Sequence, residues 1–338
     1  MPKLTLIITM MKTTKNFWQV ANLKAGSQRR KIVFRNGVVL MLDLVDYRKM
    51  RDLFLYLNDQ KLTVKKCNGE FIVSKKNPSF SCSVPSVTAL PFFRFLLSLA
   101  NQNWNIRQID ASIFKVDKAP LYYEIKKLDD NLFVAKSERI TLLGPVESLM
   151  AYFLECEKGV YDYNYNGKTV LDVGGFCGET AVFFASKGAK KVVVYEPVKM
   201  HHELIRKNVR LNRVNAELHE EGIGEKKSEV SINYKETGLG FGLPSNGKKI
   251  LTIEIRSAAD IIVQSKADVA KIDCEGAEIS LVNVPSDVLG LILFYMIETH
   301  TKSIQEAVTK KFVESGFTQA RVPKHLENEI YVVYFQKN

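Results

Sequence analysis

The sequence predicts an α/β protein in which a doubly wound, mostly parallel sheet over residues 141–338 follows a basic, strand-rich α+β domain over residues 1–140. Three observations carry this reading. From Pro145 onward, short apolar runs alternate with amphipathic stretches of helical spacing, the rhythm of a parallel sheet covered by helices. One of these runs passes through a glycine-rich turn, DVGGFCGET, straight into a helix. Before Pro145, β-rich runs instead flank Asn-Gly dipeptides, which accept the positive φ angles of tight hairpins. A chain of 338 residues has the length for two such units.

In the first part, Asn36-Gly37 within KIVFRNGVVLML and Asn68-Gly69 within KLTVKKCNGEFIVSK each predict a hairpin. Between them Asp46 can cap a helix whose Met50, Leu53, Phe54 and Leu57 share a face. A second helix spans Thr88 to Ala100. Its stripe of Leu90, Phe93, Leu96 and Leu97 suits a core-facing helix better than a membrane-surface one, because Pro91 falls in its first turn. Strand-like runs follow at residues 112–116, 121–125 and 132–135.

In the second part a helix over Pro145 to Cys156 leads into strands at residues 169–173, 192–196, 216–220, 269–273 and 291–298. Helices are expected near residues 179–187, 199–211, 257–264, 277–282 and 303–315. A last strand at residues 330–335 is expected after a further helix, antiparallel at the sheet edge.

Composition excludes disorder and fibrous repeats: 46% of residues are hydrophobic and 25% charged. The net charge of +11 is unevenly placed, since residues 1–140 hold 24 basic and 11 acidic side chains and the remainder 24 and 26. Such a surplus suits a phosphorylated, lipid or nucleic-acid surface, or simply a solvated lysine-rich face. Cys67, Cys82, Cys156, Cys177 and Cys274 are odd in number and never spaced C-x-x-C, which points to a reducing cytoplasm. The Leu4 to Met11 stretch is too short and interrupted for a signal-peptide core. No run reaches a membrane span, and the longest, Leu289 to Ile297, reads as a buried strand.

The segment TVLDVGGFCGETAVFFASKGAKKVVVYEP holds the strongest chemical signal. Glycines let a ligand approach the backbone, and the free amides that open the helix meet polar or anionic groups. A dinucleotide site needs G-x-G-x-x-G, whereas here the order is D-x-G-G-x-x-G, with Asp172 where a pyrophosphate would be repelled. A carboxylate in that place suits a cation, such as the sulfonium and α-amino groups of S-adenosylmethionine. Glu196, closing the next strand, can accept from both hydroxyls of a ribose. The alternative is a tight strand-to-helix turn with no ligand.

These residues resemble the class I S-adenosylmethionine-dependent methyltransferases and, more narrowly, the FkbM family. DVGGFCGETAVFFASKGAKKVVVYEP resembles that family's first two motifs, and KIDCEGAE (Lys271 to Glu278) its K-I-D-x-E-G-A-E. ELHEEGIGEKKSEVSI and MIETH match more weakly, and the resemblance covers about residues 140–320. It implies a Rossmann-like seven-stranded methyltransferase sheet and S-adenosylmethionine as cofactor. It implies further that Asp172, Gly174 and Gly178 meet the methionine part, Glu196 the ribose, and Glu221 with Gly222 the adenine side, with Gly175 and Pro197 as further cofactor contacts. Phe176 and Cys177 depart from the smaller or amide-bearing residues usual in that loop, with Phe176 still counted among the cofactor contacts.

Methyl transfer needs an acceptor held in line with an activated carbon and, for a hydroxyl, a group to take its proton. Candidates must sit at the strand ends facing the crevice. Asp273, Glu298 and His300 fit as catalytic groups, and Asp273 as a cofactor contact besides. Glu275 and Glu278 fit as substrate contacts. The same groups suit a divalent metal, which the sequence does not demand. Equally, Glu275 can cap backbone amides, Glu278 form an ion pair, and His300 be a satisfied polar residue. His201 and His202 read as helix-surface residues, since adjacent helical side chains diverge by about 100°.

The leading functional reading is O-methylation of a sugar, lipid or small-metabolite hydroxyl. The first alternative is RNA methylation with the basic N-terminal domain gripping phosphates and Phe92, Trp104, Tyr122 or Tyr123 stacking on bases. The second is a binding protein that keeps the fold without catalysis. Oligomeric state is not written in the sequence.

Overall fold

The computed structural model describes residues 30–33, 39–42, 63–67, 70–75, 80–84, 90–110, 112–129, 131–234, 249–327 and 329–338. Two compact units, Met1–Asp130 and Asn131–Asn338, divide the chain.

In the first unit β1 (Arg30–Val33) pairs antiparallel with β2 (Val39–Leu42), and β3 (Thr63–Cys67) with β4 (Glu70–Lys75), the arms of the two predicted hairpins. Both Asn-Gly turns and the helix expected after Asp46 lie outside the described residues. β5 (Phe80–Val84) adds a third strand beside β4. Helix α1 (Leu90–Asn101) buries Phe92, Phe95, Leu96 and Leu99, spacings of three and four that place one face in the core. It is followed by the antiparallel strands β6 (Asn105–Gln108), β7 (Ile113–Lys118) and β8 (Leu121–Lys127). Alternate residues Phe114, Val116, Tyr123 and Ile125 point inward, and Phe92 meets Phe114 edge to face at 5.1 Å. Among the described residues no helix is long and apolar enough to cross a membrane.

The second unit opens with the hairpin β9 (Phe133–Lys136) and β10 (Thr141–Gly144), then α2 (Val146–Ala151), which runs on into a π-helical turn, Tyr152–Cys156. The strand and helix alternation follows: β11 (Thr169–Val173), α3 (Glu179–Ser186), β12 (Lys191–Tyr195), α4 (Lys199–Leu211) and β13 (Ala216–His219). A small sheet comes next, made of β14 (Gly222–Gly224), β15 (Ser228–Tyr234) and β16 (Lys249–Ser257), and it is unforeseen in the sequence. Then come α5 (Ala258–Ser265), β17 (Val269–Ile272), a 3-10 segment (Ala277–Asn283), α6 (Ser286–Leu289) and β18 (Phe294–Thr299). Helix α7 (Lys302–Glu314), β19 (Phe317–Glu327) and β20 (Ile330–Lys337) complete the chain.

The main sheet has the order β13-β12-β11-β17-β18-β20-β19, parallel as far as β18 and antiparallel beyond it. This is the Rossmann-like seven-stranded sheet. One expectation is corrected: β20 is not the edge strand but lies between β18 and β19. The sequence hid β19 because Pro323 and the charged residues Arg321, Lys324 and Glu327 break its alternation, and its pairing accordingly slips register. Both faces of the sheet are covered, so β11, β12, β17 and β18 are nearly all buried. On one face Leu171, Val193, Ile272 and Tyr295 pack toward Ile261 of α5 and Phe312 of α7, with Phe312 stacked on Phe335 at 4.5 Å. The two-residue period puts Asp172, Lys271 and Glu298 on the other face, that of α3.

Helix α4 is tied to β10 by Asn208. Its Oδ1 accepts from Leu143 N at 2.7 Å, and its Nδ2 donates to the carbonyls of Leu143 and Cys177 at 2.7 and 2.8 Å. Asn208→Ala would strand these buried partners, so a loss of about 1–3 kcal/mol in urea-unfolding stability is expected. An unshifted midpoint would show that water replaces the amide.

Candidate active site

The glycine turn is anchored from below, where the N–H groups of Gly174 and Gly175 both donate to Tyr195 O at 2.8 and 3.3 Å. Gly174 has φ of 79°, and a Cβ there would lie 1.7 Å from Asp273 O, so only glycine fits where the turn passes the end of β17. Gly178, at φ of 84°, brings α3 against the backbone of Ile205. Of the turn residues singled out in the sequence, Gly174 and Phe176 line a cavity of about 630 Å³ at the strand ends, while Gly175 and Gly178 pack inward.

Asp172 does not reach that cavity. It is fully buried, with Oδ2 accepting from Thr180 Oγ1 at 2.6 Å. The cation it meets is Lys271, directly opposite in the β11–β17 register, with Nζ 3.5 Å from Oδ1. That ammonium also donates to Gly174 O at 2.7 Å and lies 3.3 Å from Asp273 Oδ2. Burial pulls Lys271 toward neutrality, but Asp273 and Asp172 outweigh it and hold the ammonium charged. Lys271 thus fastens the glycine turn to the two strands flanking it. The sequence reading missed it, although a lysine inside the four-residue buried strand VAKI is a signal in itself.

Glu196 does line the cavity, and its carboxylate is held rigidly. Oε2 accepts from Phe176 N at 2.9 Å; Oε1 accepts from Val198 N at 2.9 Å and faces His201 Nδ1 at 3.2 Å. His202 Nε2 donates to Glu196 O at 2.7 Å. The surface placement expected for these histidines is therefore corrected: both are buried, because the first turn of α4 folds over the end of β12, where Glu196 offers acceptors to both rings. Beyond Glu196, Pro197, Gly222 and Ile223 continue the wall, followed by Val230, Ile253 and Ile255 of the small sheet. Glu221 is turned aside to Arg256, whose Nε and Nη2 lie at 3.0 and 2.8 Å from its Oε1.

On the opposite wall stand Asp273, Glu275 and Glu298. His300 Nε2 faces all three, at 3.7 Å from Asp273 Oδ1, 3.6 Å from Glu275 Oε2 and 3.6 Å from Glu298 Oε1. Its Nδ1 meets Glu278 Oε1 at 2.9 Å, and its backbone N donates to the same oxygen at 3.0 Å. Burial lowers His300, yet the Glu278 hydrogen bond and the surrounding carboxylates prevail and push it up to about 9. Burial would lift Glu278, but His300 and backbone N–H groups hold it below the usual carboxylate range. Glu298 is raised by burial and by Asp273, and its Oε2 accepts from Tyr161 Oη at 3.2 Å. The structure thus brings Asp273, Glu275, Glu278, Glu298 and His300 together, with Glu278 wholly buried behind the imidazole rather than open to a substrate.

Glu179, at the first turn of α3, also lines the cavity and was not singled out in the sequence. Burial raises it from 4.5 to about 8, although Cys177 N donates to it at 3.1 Å. The unfolded chain then releases its proton near pH 4.5 while the folded one keeps it to about pH 8, so this residue makes folding less favourable as pH rises through that window. Glu179→Gln removes the effect. The variant's melting temperature should match wild type near pH 4.5 and exceed it by several degrees at pH 8, whereas a pH-independent difference would contradict this ionisation.

No family model and no curated protein matches the chain. Among solved structures, it is similar to Aeropyrum pernix fibrillarin in complex with natively bound S-adenosyl-L-methionine, with a TM-score of 0.39 and 11% identity over 68% of this chain and 97% of that one. The Methanococcus jannaschii fibrillarin pre-rRNA processing protein gives 0.38 and 13% over 69% and 97%. The ribosomal protein L11 methylase from Lactobacillus delbrueckii gives 0.33 and 14% over 58% and 81%. Alignments this distant leave the chemistry to be argued from the chain's own residues.

Proposed function

We propose that this chain is an S-adenosylmethionine-dependent methyltransferase of the FkbM kind that methylates a hydroxyl of a sugar, lipid or small metabolite. The observation that carries the reading is one cavity, at the carboxyl ends of the parallel strands, joining the Gly174 turn and Glu196 to Asp273 and Glu298. Glu196 retains acceptor capacity for ribose hydroxyls. The apolar wall of Ile223, Val230, Ile253 and Ile255 suits an adenine ring.

When bound, the cofactor supplies a methyl group already activated on a sulfonium. The protein's part is to hold the acceptor oxygen in line with that carbon and to take its proton within the Asp273, Glu298 and His300 group. The Gly174 turn and Glu196 would hold that cofactor, whose sulfonium would leave as a neutral thioether. Asp172 serves this arrangement indirectly, by fixing Lys271 under the turn.

Among the described lining residues eight carboxylates stand against two lysines, which opposes a polyanion at the reacting centre and favours a neutral acceptor. The second reading, RNA, is favoured by the 13 excess positive charges of residues 1–140. The test is transfer of a labelled methyl group into fractionated cell extract. Label in glycan, lipid or small molecules supports the first reading, label in RNA the second, and no transfer under any condition removes both.

A further inference from the structure

We propose that Asp273, Glu298 and His300 form a binding site for one divalent cation of the zinc or manganese type in the wall of the cavity. Three candidate ligand atoms, one from each residue, lie within 4.8 Å of one another. The facing atoms are Asp273 Oδ1, Glu298 Oε1 and His300 Nε2, and they stand apart rather than bonded: both oxygens are 3.6–3.7 Å from the nitrogen, outside hydrogen-bond range. That spacing is what a shared ion requires, since two ligands at about 2.1 Å in tetrahedral array are roughly 3.4 Å apart.

The atoms behind these three are what distinguish the group from a cluster of acids. Each converging atom belongs to a side chain whose other polar atom is engaged elsewhere. Asp273 Oδ2 faces Lys271 Nζ at 3.3 Å, Glu298 Oε2 accepts from Tyr161 Oη at 3.2 Å, and His300 Nδ1 meets the fully buried Glu278 at 2.9 Å. A carboxylate on the far nitrogen of a histidine orients the imidazole and keeps the proton on Nδ1, so that an ion bound at Nε2 would displace only the proton carried there. Lys271 comes from β17, Glu278 from the 3-10 segment and Tyr161 from the turn region between the π-helical segment and β11, so three separate parts of the chain impose the convergence. Glu275 Oε2, 3.6 Å from the same nitrogen, is placed to add a fourth ligand or yield that position to an acceptor oxygen.

One imidazole with carboxylates suits zinc or manganese better than calcium, which takes oxygen ligands only. The site does not depend on S-adenosylmethionine binding, so the two can fail separately. The experiment is calorimetric titration of the full chain, stripped with chelator and free of cofactor, with Zn²⁺ alone and with Mn²⁺ alone. One ion per chain is expected, bound at least tenfold more weakly by His300→Ala and by Asp273→Asn, and about 10- to 100-fold more weakly by Glu278→Gln, which touches no ion. Circular dichroism and urea unfolding of each variant separate a lost site from a lost fold. The proposal is overturned if wild type binds neither ion saturably, or if His300→Ala binds them as wild type does. Either result leaves His300 as a partner of the carboxylates with no metal to hold.

Discussion

Lys271→Met is expected to cost about 3–5 kcal/mol of unfolding free energy, because it removes the one ammonium bridging Asp172 and Asp273 and leaves a fully buried carboxylate uncompensated. Methionine fills much of the same volume, so the loss reports charge and hydrogen bonding rather than a cavity. The double variant Lys271→Met with Asp172→Asn should recover a good part of it, since a neutral amide can stay buried beside Thr180. Urea unfolding of the three proteins checks this. A Lys271→Met loss below about 1 kcal/mol, in the range of an exposed ion pair, would mean that the lysine is not the fastening described.

The second large effect is on binding. Glu196→Ala should weaken S-adenosylmethionine binding by roughly 100-fold, about 2.7 kcal/mol, if two ribose hydroxyls share this carboxylate. The same truncation frees Phe176 N, Val198 N and His201, so part of the loss reflects a looser turn. Equilibrium dialysis on Glu196→Gln separates the two contributions. The amide still accepts from backbone N–H but has lost its charge, and an affinity between those of wild type and alanine is expected.

The parts of this fold most legible in the sequence are those that obey a simple period. TVLDV and KVVVY read as doubly covered parallel strands because they are continuous apolar runs, and α4 appears with its predicted bounds because Ile205 and Asn208 share its buried face. What escaped are residues whose partners lie far along the chain. Asp172 was legible as an acid that needs a cation, but not that Lys271, 99 positions later, is that cation, because only the β11–β17 register sets them side by side. His201 and His202 were legible as a helical pair; that both turn to Glu196 depends on how α4 lies on β12. The grouping of Asp273, Glu298 and His300 was foreseen from their places at strand ends, whereas the buried Glu278 behind the imidazole was not.

The account rests on a cavity shaped for a sulfonium nucleoside rather than a dinucleotide, and calorimetric titration of the intact chain tests it most directly. S-adenosylmethionine should bind once per chain and be displaced by S-adenosylhomocysteine, while NAD, whose pyrophosphate would enter a cavity lined by far more carboxylates than lysines, should give no saturable heat. Saturable binding of NAD with none of S-adenosylmethionine would contradict the assignment outright.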